Sequence, residues 1–432
     1  METIISEIVN EPKTPKWLRY ACTVLLHVVL LIMFALSGVR CMQIGMLAGS
    51  FLFGLLFALC VGSFIFIMSR IRKGKMIRDG RKDTPKRVII GCLISLTVLT
   101  FVLPFSLSVY IYESNFGERY ETYAPTAFHI SDFEGLAVSE CTFLSSDGQK
   151  LAGYTYSKGD GERNGVVVIA HGFGGGGHNS YMDIADYFAS NGYFVFAYDA
   201  TGNDKSEGSS VRGLPQGVVD LDYALRYVKS DEQLKDLPVV LFGHSWGAYS
   251  VSAVLSLHPD VKAVVSGSGF NCSIDMIEAE GRNIMGDGIL VILPYLSLYE
   301  SFKFGKYADY SALNGFENTD ANIMVIHSSD DTVVPPQYGY DRYIEKYEND
   351  SRFTFIRFEN HGHNGIFQSN ASRGYNEQFN REFKTYVTSL DTELTAETKA
   401  EYIAAHFDKS KAYDLDVELL GKVLSFYNES IR

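Results

Sequence analysis

A short segment in the second half of the chain has the residue types and spacing for nucleophilic chemistry. Residues 243–247 read Gly-His-Ser-Trp-Gly, with Ser245 at the centre, after the apolar run 238–242 and before the helix-like stretch 248–258. A serine on a tight turn between a strand and a helix projects its hydroxyl above the sheet, and flanking glycines avoid a Cβ clash with neighbouring backbone. The pattern predicts that Ser245 is the nucleophile of an acyl-transfer reaction.

Two acidic residues and two histidines follow predicted strands further along the chain. Asp330 and Asp331 come after one apolar run, and His361 and His363 come after the next. Because the carboxyl ends of parallel strands share one edge of a sheet, these groups can meet Ser245 there. In such a site a histidine takes the serine proton and a carboxylate orients the histidine. One residue of each pair is expected to take part, since neighbouring side chains point in different directions.

A glycine-rich loop follows the apolar run 165–170 and reads His-Gly-Phe-Gly-Gly-Gly-Gly over residues 171–177. Such a loop leaves backbone N–H groups free to bind a developing negative charge. In serine enzymes of this kind, one oxyanion donor comes from this loop and another from the residue after the nucleophile. The candidates are the main-chain N–H groups of Phe173 and Trp246. A phosphate-binding loop is the alternative, but no Gly-Lys-Ser/Thr sequence follows.

From about Cys141 to about Leu390, the chain resembles the α/β-hydrolase superfamily, and within it the monoacylglycerol-lipase and serine-aminopeptidase-like hydrolases. The stretch 198–208 adds to the motifs above, because it resembles the Asp-x-Arg-Gly-x-Gly-x-Ser-x-Gly loop of that group. It departs from the group's pattern at Thr201 and Asp204, where arginine and glycine are usual. The loop is structural in the group, so the departure leaves the expected chemistry unchanged.

The resemblance implies a role for each residue of a catalytic triad. The nucleophile of the group falls on Ser245. Its acid falls on Asp331, by the spacing to the following Val-Pro, and its base falls on His363 in the Gly-His-Asn segment. Asp330 and His361 are the competing positions. We expect the other histidines of the two glycine motifs to bond loop backbone.

Predicted strands alternate with predicted helices after residue 138, which is typical of a mostly parallel sheet covered by helices on both faces. The first two strands flank a Ser-Asp-Gly turn and are expected to form an antiparallel hairpin. We therefore expect an α/β-hydrolase fold over residues 139–390, with a cap inserted at about 270–320. The eight strands are predicted at 139–145, 150–157, 165–171, 193–199, 238–243, 261–267, 322–327 and 352–358.

Three apolar runs without a charged residue occupy the first third of the chain, at about 20–39, 44–68 and 88–112. Each reaches the roughly 20 residues that a membrane-spanning helix needs. The loop between the second and third runs is rich in lysine and arginine, which predicts a cytoplasmic loop. We therefore expect residues 1–112 to form a three-helix, multi-pass membrane anchor. The amino terminus is then cytoplasmic, and the hydrolase domain is extracytoplasmic.

Composition and the remaining segments narrow the range of functions. Residues 113–138 are interpreted as a connector and residues 391–432 as a C-terminal helical extension. The net charge is −13, with +8 on residues 1–112 and −21 on the rest, and an acidic domain disfavours nucleic acid as a partner. No His-Glu-x-x-His or Cys-x-x-Cys motif occurs, so no metal and no cofactor are expected. The oligomeric state and a pairing of the two cysteines after residue 112 stay open.

These observations predict a membrane-anchored serine hydrolase that cleaves carboxylic esters, of lipids or small molecules, through an acyl-enzyme intermediate. The apolar, aromatic stretch 289–299 in the cap either packs the cap onto the sheet or favours an acyl chain as the bound group. A serine aminopeptidase or amidase with the same triad is the first alternative, and Asp275, Glu278 and Glu280 would then bind a free amino terminus. A catalytically inactive surface interaction module is the second alternative, because a fold alone does not define a function.

Overall fold

The computed structural model forms two compact units, which are considered separately. The described residues are 16–43, 54–62, 64, 65 and 98–432. The first unit contains the described residues up to Tyr110 together with Leu290–Tyr299. The second unit contains Ile111–Ile289 and Glu300–Arg432. Most of the predicted run 44–68 and the first part of the run 88–112 lie outside the described residues.

The first unit is helical. Helix α1 is Lys16–Gln43, helix α2 covers residues 54–62, and a π-helical turn at Val98–Val102 leads into helix α3 at Leu103–Phe116. The Phe101 and Tyr295 rings meet edge to face at 5.8 Å, and the Tyr295 hydroxyl donates to the Thr100 carbonyl. A small core therefore buries apolar side chains from distant parts of the sequence: Phe34, Leu56, Cys60, Phe101, Tyr295 and Leu298.

The structure corrects the expected localisation. Among the residues that the structure describes, no helix combines the length and apolarity needed to cross a bilayer. On this finding, the prediction of a multi-pass membrane anchor with an extracytoplasmic hydrolase domain is wrong. Helix α3, for example, has 14 residues and is roughly 21 Å long, against a hydrocarbon core of about 30 Å. The spans themselves were predicted from the length and apolarity of these runs. Such runs also occur where helices bury apolar side chains in a protein core, as happens for Phe34 and Leu56 here.

The second unit is organised around one eight-stranded sheet. The strand order is β1-β2-β4-β3-β5-β6-β7-β8, and every pair is parallel except β1 with β2 and β2 with β4. This arrangement confirms the predicted α/β-hydrolase fold, including the antiparallel hairpin at its start. The strands are β1 Leu136–Leu144, β2 Lys150–Lys158, β3 Val166–Ala170, β4 Phe194–Tyr198, β5 Val239–His244, β6 Ala263–Gly267, β7 Asn322–Ser328 and β8 Phe353–Phe358.

Helices cover both faces of the sheet, because its central strands are apolar on both sides. In β3, Val166 and Val168 belong to one core, whereas Val167 and Ile169 belong to the other. Alternate residues of a strand point to opposite faces, so a strand that is buried on both sides is a continuous apolar run. Outside the cap and the C-terminal segment, the helices are α4 Met182–Ser190, α5 Pro215–Val228, α6 Trp246–Ala253, α10 Tyr340–Tyr347 and α11 Asn370–Ser389.

The segment between β6 and β7, where a cap was expected, is helical. It contains α7 at Ser273–Met285, α8 at Ile289–Phe304 and α9 at Ala312–Glu317. The middle of α8 belongs to the first unit and its ends belong to the second. The Tyr307 hydroxyl, which follows α8, donates to Asp222 of α5 at 2.7 Å. This bond ties the end of the cap segment to a helix beside the sheet.

The C-terminal segment completes one face of the second unit. It forms α12 at Ala396–His406, α13 at Lys409–Ala412 and α14 at Val417–Ser430. Leu420 of α14 is fully buried in the core on that face, and the Tyr427 hydroxyl donates to the Leu241 carbonyl of β5 at 2.6 Å. Among the cysteines that the structure describes, Cys60, Cys141 and Cys272 are free thiols, so Cys141 and Cys272 do not pair.

Candidate active site

Ser245 lies on a strained turn between β5 and α6. Its φ angle is +57°, a value that a residue with a side chain rarely adopts and that is typical of functional sites. The turn is possible because both neighbouring glycines lie against backbone. A Cβ on Gly247 would be 1.9 Å from the Ala170 carbonyl oxygen of β3, and one on Gly243 would be 2.4 Å from the Gly247 oxygen. The two glycines therefore allow the sharp strand-to-helix reversal that turns the serine outward.

The structure brings His363 between Ser245 and Asp331. The His363 Nε2 atom is 2.9 Å from Ser245 Oγ, and the His363 Nδ1 atom is 2.8 Å from Asp331 Oδ2. A carboxylate only accepts hydrogen bonds, so Nδ1 carries the proton and Nε2 is free to accept one from the serine hydroxyl. The His363 side chain is 8 % exposed and that of Asp331 is fully buried. The three groups therefore form one hydrogen-bonded series from the serine through the histidine to the carboxylate.

Asp331 is held by several donors in addition to His363. Its Oδ1 atom accepts the backbone N–H groups of Val333 and Val334 at 3.0 and 2.8 Å, and His327 Nε2 is 3.3 Å from Oδ2. Burial by itself would raise the pKa of Asp331, but the hydrogen bonds from His327, His363 and Val334 outweigh it and hold this pKa well below its usual range. The carboxylate therefore stays charged beside His363.

The two competing positions, Asp330 and His361, lie away from the serine and stabilise the turn before His363. Asp330 accepts the Gly362 N–H at 2.9 Å and the Ser328 hydroxyl at 2.5 Å. The ring of His361 stacks on Phe358 at 3.9 Å. Of the residues predicted for the site, the structure thus groups Asp331 and His363 with the serine and leaves the other two outside the group.

His244 fixes the backbone of the proposed base. Its Nε2 donates to the His363 carbonyl at 2.9 Å, and its Nδ1 accepts from the Tyr181 hydroxyl at 3.0 Å. Burial, assisted by the charge of His363, lowers the pKa of His244 to about 3. Ser268 also donates to the His363 carbonyl, at 3.2 Å. Sequence reasoning expected His244 to bond loop backbone, but it missed Tyr181 and Ser268, which belong to no motif.

The two amides proposed for the oxyanion hole lie in the expected elements. Trp246 is the first residue of α6, where an N–H has no partner within the helix. Phe173 lies in the glycine-rich loop, and its ring meets the Trp246 ring edge to face at 5.7 Å. Within residues 98–432, neither amide donates to a protein group, whereas the amides of Gly172 and Gly177 donate to Tyr181 and Asp204. Both proposed donors are therefore available to a ligand.

Three side chains near the glycine-rich loop have ligand atoms close enough to share a metal ion. They are His178, Asp199 and Asp204, whose ligand atoms lie within 4.8 Å of one another. Each carboxylate already accepts hydrogen bonds, such as those from the Tyr154 hydroxyl to Asp199 and from the Gly177 N–H to Asp204. The arrangement acts as a hydrogen-bond network that connects two loops.

Parts of the chain are similar to known proteins. Residues 161–298 match the family described as serine aminopeptidase, S33. A segment of 116 residues is 34 % identical to a caffeoylshikimate esterase of Arabidopsis thaliana and covers 26 % of this chain and 35 % of that protein. A segment of 149 residues is 26 % identical to the quorum-quenching protein AidA of Acinetobacter baumannii and covers 33 % and 49 % of the two chains. The chain thus spans half or less of the length of these relatives.

Solved structures with a similar arrangement include esterases and a peptidase. An esterase of Pyrococcus furiosus is 16 % identical, with a TM-score of 0.44 over 60 % of this chain and 94 % of that one. An acylaminoacyl peptidase of Pyrococcus horikoshii is 19 % identical, with a TM-score of 0.44 over 63 % and 45 % of the two chains. The family match and the eight-stranded sheet support classing the protein as a serine hydrolase enzyme with the α/β-hydrolase fold, as the sequence predicted.

Proposed function

We propose that this protein hydrolyses carboxylic esters through an acyl-enzyme intermediate, with Ser245, His363 and Asp331 as its triad. The observation that supports this proposal best is the continuous path from Ser245 Oγ through the His363 ring to Asp331, with contacts of 2.9 and 2.8 Å. Such distances suit a proton transfer from the serine to the histidine. The buried carboxylate would orient the ring and stabilise the imidazolium that forms.

In the first half of the proposed reaction, Ser245 Oγ attacks the ester carbonyl carbon while its proton passes to His363 Nε2. The carbonyl oxygen becomes an oxyanion, which the N–H groups of Phe173 and Trp246 would stabilise by about 3 kcal/mol each. His363 then donates its proton to the leaving alkoxide, and the alcohol departs from the acyl-enzyme. In the second half, water gives a proton to His363 Nε2 and its oxygen attacks the acyl carbon. The bond between the acyl carbon and Ser245 Oγ then breaks, His363 returns the proton to Oγ, and the carboxylic acid departs.

An ester is favoured over a peptide with a free amino terminus because two of the three acidic residues that could bind such a terminus are already paired. Asp275 accepts hydrogen bonds from Arg342 at 2.7 Å and from Asn271 at 3.2 Å. Glu278 accepts one from Arg282 at 2.8 Å. Recognition of an ammonium group needs a carboxylate whose charge is not already matched. The name of one relative, an esterase, also favours this substrate class.

An inactive interaction module is the weaker alternative. An interaction module does not require a serine with a φ angle of +57°. It also does not require a histidine beside that serine whose carboxylate partner is buried. Strained backbone costs about 1–3 kcal/mol at each position and persists where it contributes to function. The combination of strain, burial and hydrogen bonding at one sheet edge therefore favours an active enzyme.

The proposal is tested with purified protein, a fluorophosphonate probe and p-nitrophenyl esters of increasing acyl length. We expect wild type to be labelled and to hydrolyse esters, and Ser245→Ala to lose labelling and at least about 10⁴-fold in kcat. Ser252→Ala is the matched control, because this serine is buried in α6 and donates to the Ala248 carbonyl. It should retain both activities.

Two outcomes would contradict the proposal. Folded wild-type protein that neither reacts with the probe nor hydrolyses an ester would favour the interaction module. A higher kcat/KM for amino-acid p-nitroanilides than for the esters would favour the aminopeptidase, and this comparison should be made in the same assay.

A further inference from the structure

Asp204 occupies a position at which the hydrolases that this chain resembles usually have glycine. Its φ angle is +35°, one of four positive φ values among the described residues that are not glycine. An aspartate with a positive φ angle costs free energy relative to glycine. Its presence here therefore suggests that the Asp204 side chain makes contacts that compensate for this cost. Ser245, the proposed nucleophile, is another of the four.

The Asp204 carboxylate holds two separate segments of the chain. Oδ1 accepts the Thr122 N–H at 2.6 Å, and Oδ2 accepts the Thr122 hydroxyl at 2.7 Å. Oδ2 also accepts the Gly177 N–H at 2.7 Å. Hydrogen bonds to a charged carboxylate are about twice as strong as neutral ones. One side chain thus joins the segment before β1 to the glycine-rich loop.

The segment before β1 is also fixed by its own backbone to the loop after β4, which contains Asp204. The Tyr120 N–H donates to the Gly202 carbonyl at 3.0 Å, and the Asp204 N–H donates to the Tyr120 carbonyl at 3.0 Å. The Arg119 guanidinium donates to the carbonyls of Asp204 and Ser206 at 2.8 and 3.0 Å. Residues 119–122 therefore form an ordered part of the site region, although the sequence suggested only a connector.

Residues 119–122 also pack against the glycine-rich loop. Gly176 has a φ angle of +86°, and a Cβ there would lie 2.2 Å from Thr122 Oγ1. The Tyr120 ring meets the Phe173 ring at 5.2 Å. At the start of the loop, the Gly172 N–H donates to the Tyr181 hydroxyl at 3.1 Å. The loop is thus pinned on both sides of Phe173, whose own N–H remains available.

We propose that Asp204 and Thr122 are positioning residues, which hold the glycine-rich loop so that the Phe173 N–H meets the oxyanion. The inference rests on the proposed function, because it assumes that an oxyanion forms at Ser245. A donor that binds charge only in the transition state changes kcat more than it changes substrate binding. A displaced loop should therefore lower kcat and leave KM nearly constant.

The test compares Asp204→Asn and Thr122→Val with wild type, with kcat expressed per active site after exhaustive fluorophosphonate titration. Asparagine tolerates the left-handed backbone but places an amide N–H against one of the donors. We expect kcat to fall roughly 10- to 100-fold for Asp204→Asn and less for Thr122→Val, with KM within about threefold of wild type. A trifluoromethyl ketone, whose adduct carries an oxyanion, should bind more weakly by the same factor as kcat/KM. Thr122→Ser, which keeps the hydroxyl, should restore wild-type values.

Glu207→Gln is the matched control, because Glu207 lies in the same loop and accepts the Lys150 N–H of β2 at 2.8 Å. It should keep wild-type kcat per site. The inference would be overturned if Asp204→Asn and Thr122→Val both kept the wild-type kcat per site and the wild-type affinity for the ketone. A smaller number of titratable sites would not change that conclusion, since it would show a structural role only. Folded wild-type protein that neither titrates nor hydrolyses esters would overturn the proposed function, and this inference with it.

Discussion

Two of the buried aspartate–histidine pairs in the second unit have the same contact distance but different surroundings. In the pair proposed for the active site, Asp331 and His363, the contact is 2.8 Å, and in the second pair, Asp222 and His258, it is also 2.8 Å. The difference lies at the other ring nitrogen. His363 Nε2 faces Ser245 Oγ at 2.9 Å, whereas His258 Nδ1 faces the Lys229 ammonium at 2.9 Å.

The neighbours of Asp222 explain why the second pair is structural. Arg226 donates to both of its oxygens at 2.9 and 2.8 Å, and the Tyr307 hydroxyl donates at 2.7 Å. Burial would raise the pKa of Asp222, but the hydrogen bonds from His258, Arg226 and Tyr307 lower it to about 2. The charge of the carboxylate is matched by a fixed cation, so the pair stabilises the fold. The two pairs therefore differ in what the second ring nitrogen meets, and only the pair whose nitrogen meets a hydroxyl is proposed to contain a base.

The largest expected difference between the pairs is in catalysis. Asp331→Asn should lower kcat by about 10³- to 10⁴-fold, because an amide favours the wrong tautomer of His363 and leaves the imidazolium unstabilised. Ester hydrolysis per titrated site measures the loss. Asp330→Asn is the adjacent control, since Asp330 bonds the Gly362 N–H and the Ser328 hydroxyl instead of a histidine ring. A loss of equal size in both variants would contradict the assignment of Asp331 as the acid.

The second pair should affect stability instead. Asp222→Asn is expected to lower the free energy of unfolding by about 1–3 kcal/mol for each buried donor that it leaves without an acceptor, namely those of His258 and Tyr307. Urea denaturation measures this change, and kcat per titrated site should stay within about twofold of wild type. A large loss of kcat in the folded variant would show that the two pairs are not functionally distinct.

The smallest expected effect is on how the free energy of unfolding depends on pH, through His244. The pKa of His244 is about 3 in the folded protein and about 6.5 in an unfolded chain, so the unfolded chain binds more protons between these values. The contribution to stability is complete above about pH 6.5 and falls as the pH drops toward 3. From pH 7 to pH 5 we expect a loss of about 2 kcal/mol from His244 alone.

Urea denaturation at a series of pH values between these limits tests this expectation. His244→Gln is the matched variant, because its amide can still donate to the His363 carbonyl but does not titrate in this range. The stability of the variant should depend less on pH than that of wild type. Parallel pH curves for the two proteins would show that His244 is not the acid-sensitive group.

Sequence patterns predicted the sheet well because its strands follow a simple physical rule. Every predicted strand overlaps an observed one, and the ends differ by three residues or fewer, as at β1, predicted from residue 139 and observed from Leu136. Central parallel strands are buried on both faces and are therefore continuous apolar runs. The glycines around Ser245 were equally predictable, because a clash with backbone excludes any other residue there.

The same type of signal failed in the first third of the chain. An apolar run is compatible with a membrane span and with a helix that packs against protein, and hydropathy does not distinguish the two. Phe101 illustrates the ambiguity, since it is buried by contacts that include Tyr295, a residue almost two hundred positions later. A contact between residues so far apart in the chain produces no periodic pattern in the sequence around either residue.

The sequence by itself determined the α/β-hydrolase fold, the turn that carries Ser245 and the pairs of residues from which an acid and a base would come. Only the tertiary structure decided which member of each pair joins the hydrogen-bonded series that begins at the serine, because that depends on where a loop beyond a strand end directs adjacent side chains. The structure also decided what Asp204 does. Its partners, Thr122 and Gly177, are 82 and 27 residues away in the chain. Side-chain direction and long-range contact follow from packing, and packing exists only once the sheet has formed.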